Sequence, residues 1–125
     1  MTRLLVADDS ETILLLMQRR LAFEGYDVQT VSGGQPVIDA VRDAPREDAP
    51  DVIVLDAMMP GKSGFDVLRE LRDMGSKIPV LMVSAHRHLD ELREAERIGA
   101  DGCMTKPIDW EELIARIEEL SAAPA

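Results

Sequence analysis

Five short apolar runs punctuate the chain, and between them the apolar residues return at every third or fourth position. Arg3 to Ala7, Val28 to Val31, Val52 to Leu55, Pro79 to Ser84 and Cys103 to Thr105 read as strands. The unbroken run Val52-Ile53-Val54-Leu55 suits a strand covered on both faces, which in a mixed pattern means a central parallel strand. Ser10 offers an N-cap for a first helix running to about Glu24, with Ile13, Leu14, Met17 and Leu21 on one face and Gly25 closing it. Pro36 suits the first turn of a second helix that presents Val37, Ile38 and Val41 and ends near Arg42. Ala44 to Pro50 reads as a surface loop. Ser63 and Asp66 form a capping box for a third helix that turns Phe65, Leu68, Leu71 and Met74 inward before Gly75. A fourth helix ends near Gly99 and is poor in apolar residues, with Leu89, Leu92 and Ile98 as its main anchors, so it is expected to be loosely held and largely exposed. Asp109 and Glu112 open a last helix with a stripe of Trp110, Leu113, Ile114, Ile117 and Leu120. Five strands alternating with five helices predict an α/β fold with a parallel sheet covered on both faces.

Composition narrows this picture. At 125 residues the chain is one domain, and with 46% hydrophobic residues but two Phe, one Trp and one Tyr its core must be aliphatic. Cys103 is the single cysteine and has no internal disulfide partner, which fits a reducing, cytoplasmic setting. The longest apolar run, Ile78 to Val83, has six residues, whereas a membrane helix needs ~20. The 24 acids against 14 bases give a formal charge of -10, which repels nucleic acid and acidic membranes.

The chemistry lies where the strands stop. The first, third, fourth and fifth strands end in Asp8-Asp9, Asp56, Ser84 and Lys106, all at the carboxyl edge, where open parallel sheets place their ligand crevices. Each residue alone has a simpler reading: Asp56 as a turn cap, Asp9 or Glu11 as complements to a helix dipole. Together they bring three carboxylates, a hydroxyl and an amine to one crevice. Clustered carboxylates repel one another unless a lysine and a divalent cation offset their charge, and oxygen ligands suit magnesium. A carboxylate in such a site is a nucleophile towards phosphorus, with lysine and metal neutralising the transferred oxygens. Gly33-Gly34 lacks the spacing of a dinucleotide fingerprint.

The segments Val6 to Ser10, Pro50 to Gly61, Val83 to Ala85 and Gly99 to Pro107 together resemble the receiver domain of two-component response regulators, a likeness that extends from residue 2 to about residue 120. The resemblance implies a flavodoxin-like sheet of order 2-1-3-4-5 and a receiver domain over residues 1–121, with 122–125 as a disordered tail and fraying from Ser121. It implies that Asp56 accepts a phosphoryl group from a histidine kinase or a histidine phosphotransfer protein. Asp8, Asp9, Asp56 and the Met58 carbonyl would hold Mg2+, and Ser84 and Lys106 would contact the phosphoryl group. Met58 and His86 would flank the path of the hydrolytic water, and the Lys106-Pro107 bond would be cis. The downstream partner would meet the fourth helix, the fifth strand and the last helix.

Two positions depart from the family pattern. Cys103 stands where an aromatic switch residue is usual, so Ser84 and the segment Leu89 to Ile98 would carry the signal in place of a swinging ring. Ser63 replaces an acid usual before Gly64. Two other readings compete: a phosphatase of the haloacid dehalogenase type, which needs two acids two apart after the first strand, and a flavin-binding electron carrier, which needs a phosphate loop where Asp8 and Asp9 stand.

Overall fold

Successive residues of a strand point to opposite faces of its sheet, so an apolar run without interruption must be covered twice. In the computed structural model, which describes residues 1–85 and 89–122, that is how the core divides. Strands β1 (Arg3–Ala7), β2 (Asp27–Val31), β3 (Val52–Asp56), β4 (Val80–Ser84) and β5 (Gly102–Thr105) form one parallel sheet of order β2-β1-β3-β4-β5. Helices α1 (Glu11–Phe23), α2 (Gly34–Asp43), α3 (Gly64–Asp73), α4 (Leu89–Ile98) and α5 (Trp110–Ala122) alternate with the strands. Leu4, Val6, Val52, Val54, Leu81, Val83 and Met104 face Leu14, Met17 and Leu21 of α1 and Leu113 and Ile117 of α5. Leu5, Ala7, Ile53, Leu55, Val80 and Met82 face Val37 and Ile38 of α2, Val67, Leu68 and Leu71 of α3, and Ala95 of α4.

The helix ends follow their local chemistry. The Ser10 hydroxyl accepts from the Ile13 amide at 3.3 Å, capping α1, and Gly25 takes a φ of 96° just past its end. Ser63 and Asp66 form the reciprocal capping box, with both bonds at 3.2 Å. Asp109 accepts from the Glu112 amide at 3.1 Å.

Several expectations need correction. Met74 is exposed, because it sits at the C-cap of α3 and not in its buried stripe, a place that Val67 takes instead. The loop from Ala44 to Pro50 contains a 3-10 turn over Arg46–Asp48. Helix α5 continues through Ala122, past the anticipated boundary at 121 and the fraying from Ser121. The Ser121 hydroxyl donates to the Glu118 carbonyl at 3.2 Å, a bond within the last helical turn. Residues 123–125 lie outside the described part.

Helix α4 contacts the core through Ala95, which is 1% exposed, with Ile98 partly buried beside it. The side chains of Leu89 and Leu92 lie outside the described part. Its C-terminal end is held by Arg72 of α3. The guanidinium donates to the Gly99 carbonyl from Nη2 at 2.9 Å and Nε at 3.2 Å, and Nη1 donates to the carbonyls of Ser76 and Ile78, each at 3.0 Å.

Candidate functional site

The sheet register brings the ends of β1, β3, β4 and β5 to one edge, with Ala7 beside Leu55, Asp56 beside Val83 and Ser84 beside Thr105. Backbone bonds carry the pairing one residue further: the Ala57 amide donates to the Val83 carbonyl at 2.9 Å and the Lys106 amide to the Ser84 carbonyl at 2.8 Å. The site therefore stands on rigid elements, the placement a precise constellation requires. Strand alternation sorts its side chains. Asp56 has the parity of Val52 and Val54, which face α1 and α5, whereas Ser84 has the parity of Val80 and Met82, which face α2, α3 and α4.

Asp8, Asp56 and Ser84 are buried, at 1%, 4% and 3% exposure, while Asp9 is exposed. Lys106 Nζ lies 3.0 Å from Asp8 Oδ2 and 3.5 Å from Asp56 Oδ2, a single cation serving two buried carboxylates. The other oxygens are also engaged: Asp8 Oδ1 accepts from the Ser10 amide at 2.9 Å, and Asp56 Oδ1 from the Met58 amide at 3.3 Å. Burial, and next the charge of Asp8, push the Asp56 carboxyl up to about 6, against the opposing pull of Lys106 and the Met58 amide. For Lys106 burial acts downward, but the hydrogen bond to Asp8 and the charges of Asp56 and Asp8 outweigh it and leave the ammonium above its ordinary range.

Ligand oxygens of Asp8, Asp9 and Asp56 lie within 4.8 Å of one another. One lysine for three carboxylates leaves an excess of negative charge. Two ligands are buried and one faces solvent, which fits a hard divalent cation that keeps several waters.

The Lys106-Pro107 bond is cis. Gly64, the first residue of α3, lies against the backbone of Asp56 and Ala57; its amide donates to the Ala57 carbonyl at 2.9 Å, and a Cβ there would collide with the Asp56 carbonyl oxygen. Cys103 is half-buried against the cluster under α2, α3 and α4, where burial pushes its thiol up. Met58 is exposed beside the crevice, and His86 lies outside the described residues.

A family model, the response regulator receiver domain, matches residues 4–118. The chain belongs to this family. Among curated relatives, the response regulators MprA of Mycolicibacterium vanbaalenii and of Mycobacterium tuberculosis are each 36% identical over 118 residues, which cover 94% of this chain and 49% and 50% of those proteins. The chain thus spans about half the length of these relatives. The receiver domain of the Francisella response regulator 1452 superposes with a TM-score of 0.89 at 30% identity, covering 97% of each chain. The chemotaxis protein CheY4 of Vibrio cholerae gives 0.86 at 27%, covering 96% of this chain and 98% of that one. The expected order 2-1-3-4-5 is thus both observed and shared with this family. Neither the phosphatase nor the flavin-carrier reading finds support.

Two features of the receiver escaped the sequence reading. Glu91 of α4 reaches the crevice, where its Oε2 lies 3.4 Å from Ser84 Oγ. It stands beside Asp90 in the first turn of α4, a position where an acid complements the helix dipole and gives no sequence signal of a site. The second is an apolar surface bordering Lys106. A cleft of about 250 Å3 is lined by Ile13, Leu16, Pro107, Ile108 and Trp110 together with Lys106. Leu16 is 50% and Phe23 85% exposed along the same helix. The run Leu14-Leu15-Leu16 held the signal, because consecutive helical residues are about 100° apart and cannot all face the core.

Proposed function

We propose that Asp56 is the phosphoacceptor of this receiver, and that the buried carboxylate set beside Lys106 is the observation that carries the reading. An Asp56 oxygen attacks the phosphorus of a phosphohistidine on a sensor kinase or histidine phosphotransfer protein. The new O–P bond forms as the P–N bond breaks, and the donor imidazole departs with the electron pair. Lys106, already bonded to Asp8, neutralises charge on the transferred oxygens, and the Ser84 hydroxyl donates to one of them. Asp8, Asp9, Asp56 and the Met58 carbonyl would hold Mg2+, which would shield the phosphoryl oxygens from the carboxylates. Cys103 lies under the face of α4, β5 and α5, and a downstream protein reads that face. The protein's only catalysis is its own phosphorylation and slow dephosphorylation, the latter shaped by Met58 and His86.

The donor meets the crevice over α1 and the loop before α5, because that apolar surface borders Lys106. With a net charge of -10, these residues bind no nucleic acid directly, whatever the remaining half of longer relatives does. Among the described residues no helix is long and apolar enough to cross a membrane, and the single cysteine fits a cytoplasmic site of action. Residues 1–122, through the end of α5, form the receiver unit.

Incubation with acetyl phosphate and magnesium should add one phosphoryl group, read by intact-mass spectrometry. Asp56→Asn should abolish the uptake. Unchanged labelling in that variant would remove Asp56 from this role.

A further inference from the structure

Ser84 is placed by its strand parity on the α4 side of the sheet, and there its Oγ donates to Glu91 Oε2 at 3.4 Å. Glu91 is drawn partly into the protein, unlike its exposed neighbour Asp90, so its carboxylate is more than a dipole complement at the surface. A serine hydroxyl carries one proton. It cannot donate at once to Glu91 and to a phosphoryl oxygen on Asp56. The Glu91 carboxylate would also stand close to the incoming negative charge, so loading of the site favours its withdrawal.

The far end of α4 resists the same movement. Arg72 clasps the Gly99 carbonyl at 2.9 and 3.2 Å and also pairs with Asp101 at 3.1 Å, while Asp101 accepts from the Val80 amide at 2.9 Å. Ala95 is packed against the core, and Glu94 pairs with Arg69 of α3 at 2.8 Å. Withdrawal of Glu91 therefore takes the form of a swing of the first turns of α4 about a fixed C-terminal half.

We propose that Glu91 is a positioning residue that latches α4 to Ser84 in the unphosphorylated receiver, competes with the phosphoryl group for the Ser84 hydroxyl, and frees the start of α4 when it loses. This inference rests on the reading of Asp56 as phosphoacceptor. The latch supplies the coupling through Ser84 in a receiver whose aromatic switch position is occupied by Cys103.

Beryllofluoride with magnesium, titrated through the fluorescence of the single tryptophan, Trp110, beside Lys106, tests it. Glu91→Ala should bind beryllofluoride about fivefold more tightly than the wild type, the scale of a weak charge-assisted hydrogen bond removed from the competing state. Glu91→Gln, which keeps an acceptor, should bind with intermediate affinity. In a Ser84→Ala background the Glu91→Ala change should have no effect, since the interaction it removes is already gone. Amide exchange in residues 90–94 should be raised in unliganded Glu91→Ala as it is in the wild type with beryllofluoride, with residues 95–99 unaltered in both. An unchanged affinity in Glu91→Ala, or the same gain with and without Ser84, would overturn the latch while leaving the phosphoacceptor reading intact. A wild-type protein that binds no beryllofluoride would overturn the underlying reading, and the latch with it.

Discussion

Asp56 is held in a state that costs the unloaded protein stability. Its carboxyl stands at about 6 instead of the ordinary 3.8, because burial and Asp8 together oppose its charge more than Lys106 supports it. Below about pH 4 the group is protonated whether the chain is folded or not, and above about pH 6 it is ionised in both states. Between those limits the folded protein keeps a proton that the unfolded chain releases. This group's contribution to stability is therefore greatest at low pH and is lost as pH rises through that window, by up to about 3 kcal/mol. Asp56→Asn removes the charge and keeps the shape. Without divalent metal it should be more stable than the wild type by about 1–3 kcal/mol at about pH 8, the two converging near pH 4. Urea unfolding at a series of pH values in the presence of a chelator measures the difference, and parallel curves would refute the account. Added magnesium should narrow the gap, because a bound cation restores to the wild type what the clustered charge takes away.

The elements themselves were legible in the sequence wherever one period dominated. The unbroken β3 run named a doubly covered strand, and the Ser63-Asp66 pair named the start of α3, because both signals are local. Close approach between elements was not legible. Nothing in the string Ser63-Gly64-Phe65 says that a glycine is required at the first position of α3, yet its missing side chain is what lets the helix lie against the backbone of Asp56. In an open helix position Gly→Ala stabilises by ~1 kcal/mol. Here the Cβ would meet the Ala57 Cα at 2.9 Å as well as the Asp56 carbonyl, and backbone atoms cannot rotate out of the way. Gly64→Ala should therefore destabilise by about 1–3 kcal/mol, as overpacking does, and slow uptake from acetyl phosphate by displacing the acceptor. A neutral or stabilising outcome by thermal unfolding would show that the loop after β3 yields freely. Helix α4 was less legible still: among its described side chains the buried one is Ala95, too small to mark an apolar stripe, and the reach of Glu91 across to Ser84 depends on tertiary placement that periodicity does not encode.

Over the whole molecule, strand alternation divides both the core and the chemistry. The side of α1 and α5 shares its parity with Asp8, Asp56 and Lys106, and the side of α2, α3 and α4 shares its parity with Ser84 and Cys103. If Asp56 is the phosphoacceptor, one side carries the groups that would accept the phosphoryl group, and the other carries those that would report it. The apolar surface of α1 lies on the side of Asp56, which would suit it to the donor and leave the edge formed by α4, β5 and α5 to a downstream protein. Leu16 tests this division because it is half exposed, borders the cleft at Lys106 and Trp110, and supports no buried cluster, so its replacement should leave the fold unchanged. Leu16→Asp should reduce the rate of transfer from the donor protein at least about tenfold, the effect of losing a central apolar contact and adding a desolvated charge. Labelling by acetyl phosphate should remain at the wild-type rate, since a small donor has no need of the surface. Phosphotransfer assays with the phosphorylated donor and with acetyl phosphate, run side by side, separate the two. Equal losses with both donors would place the defect in the crevice, and equal retention with both would assign the donor to another face.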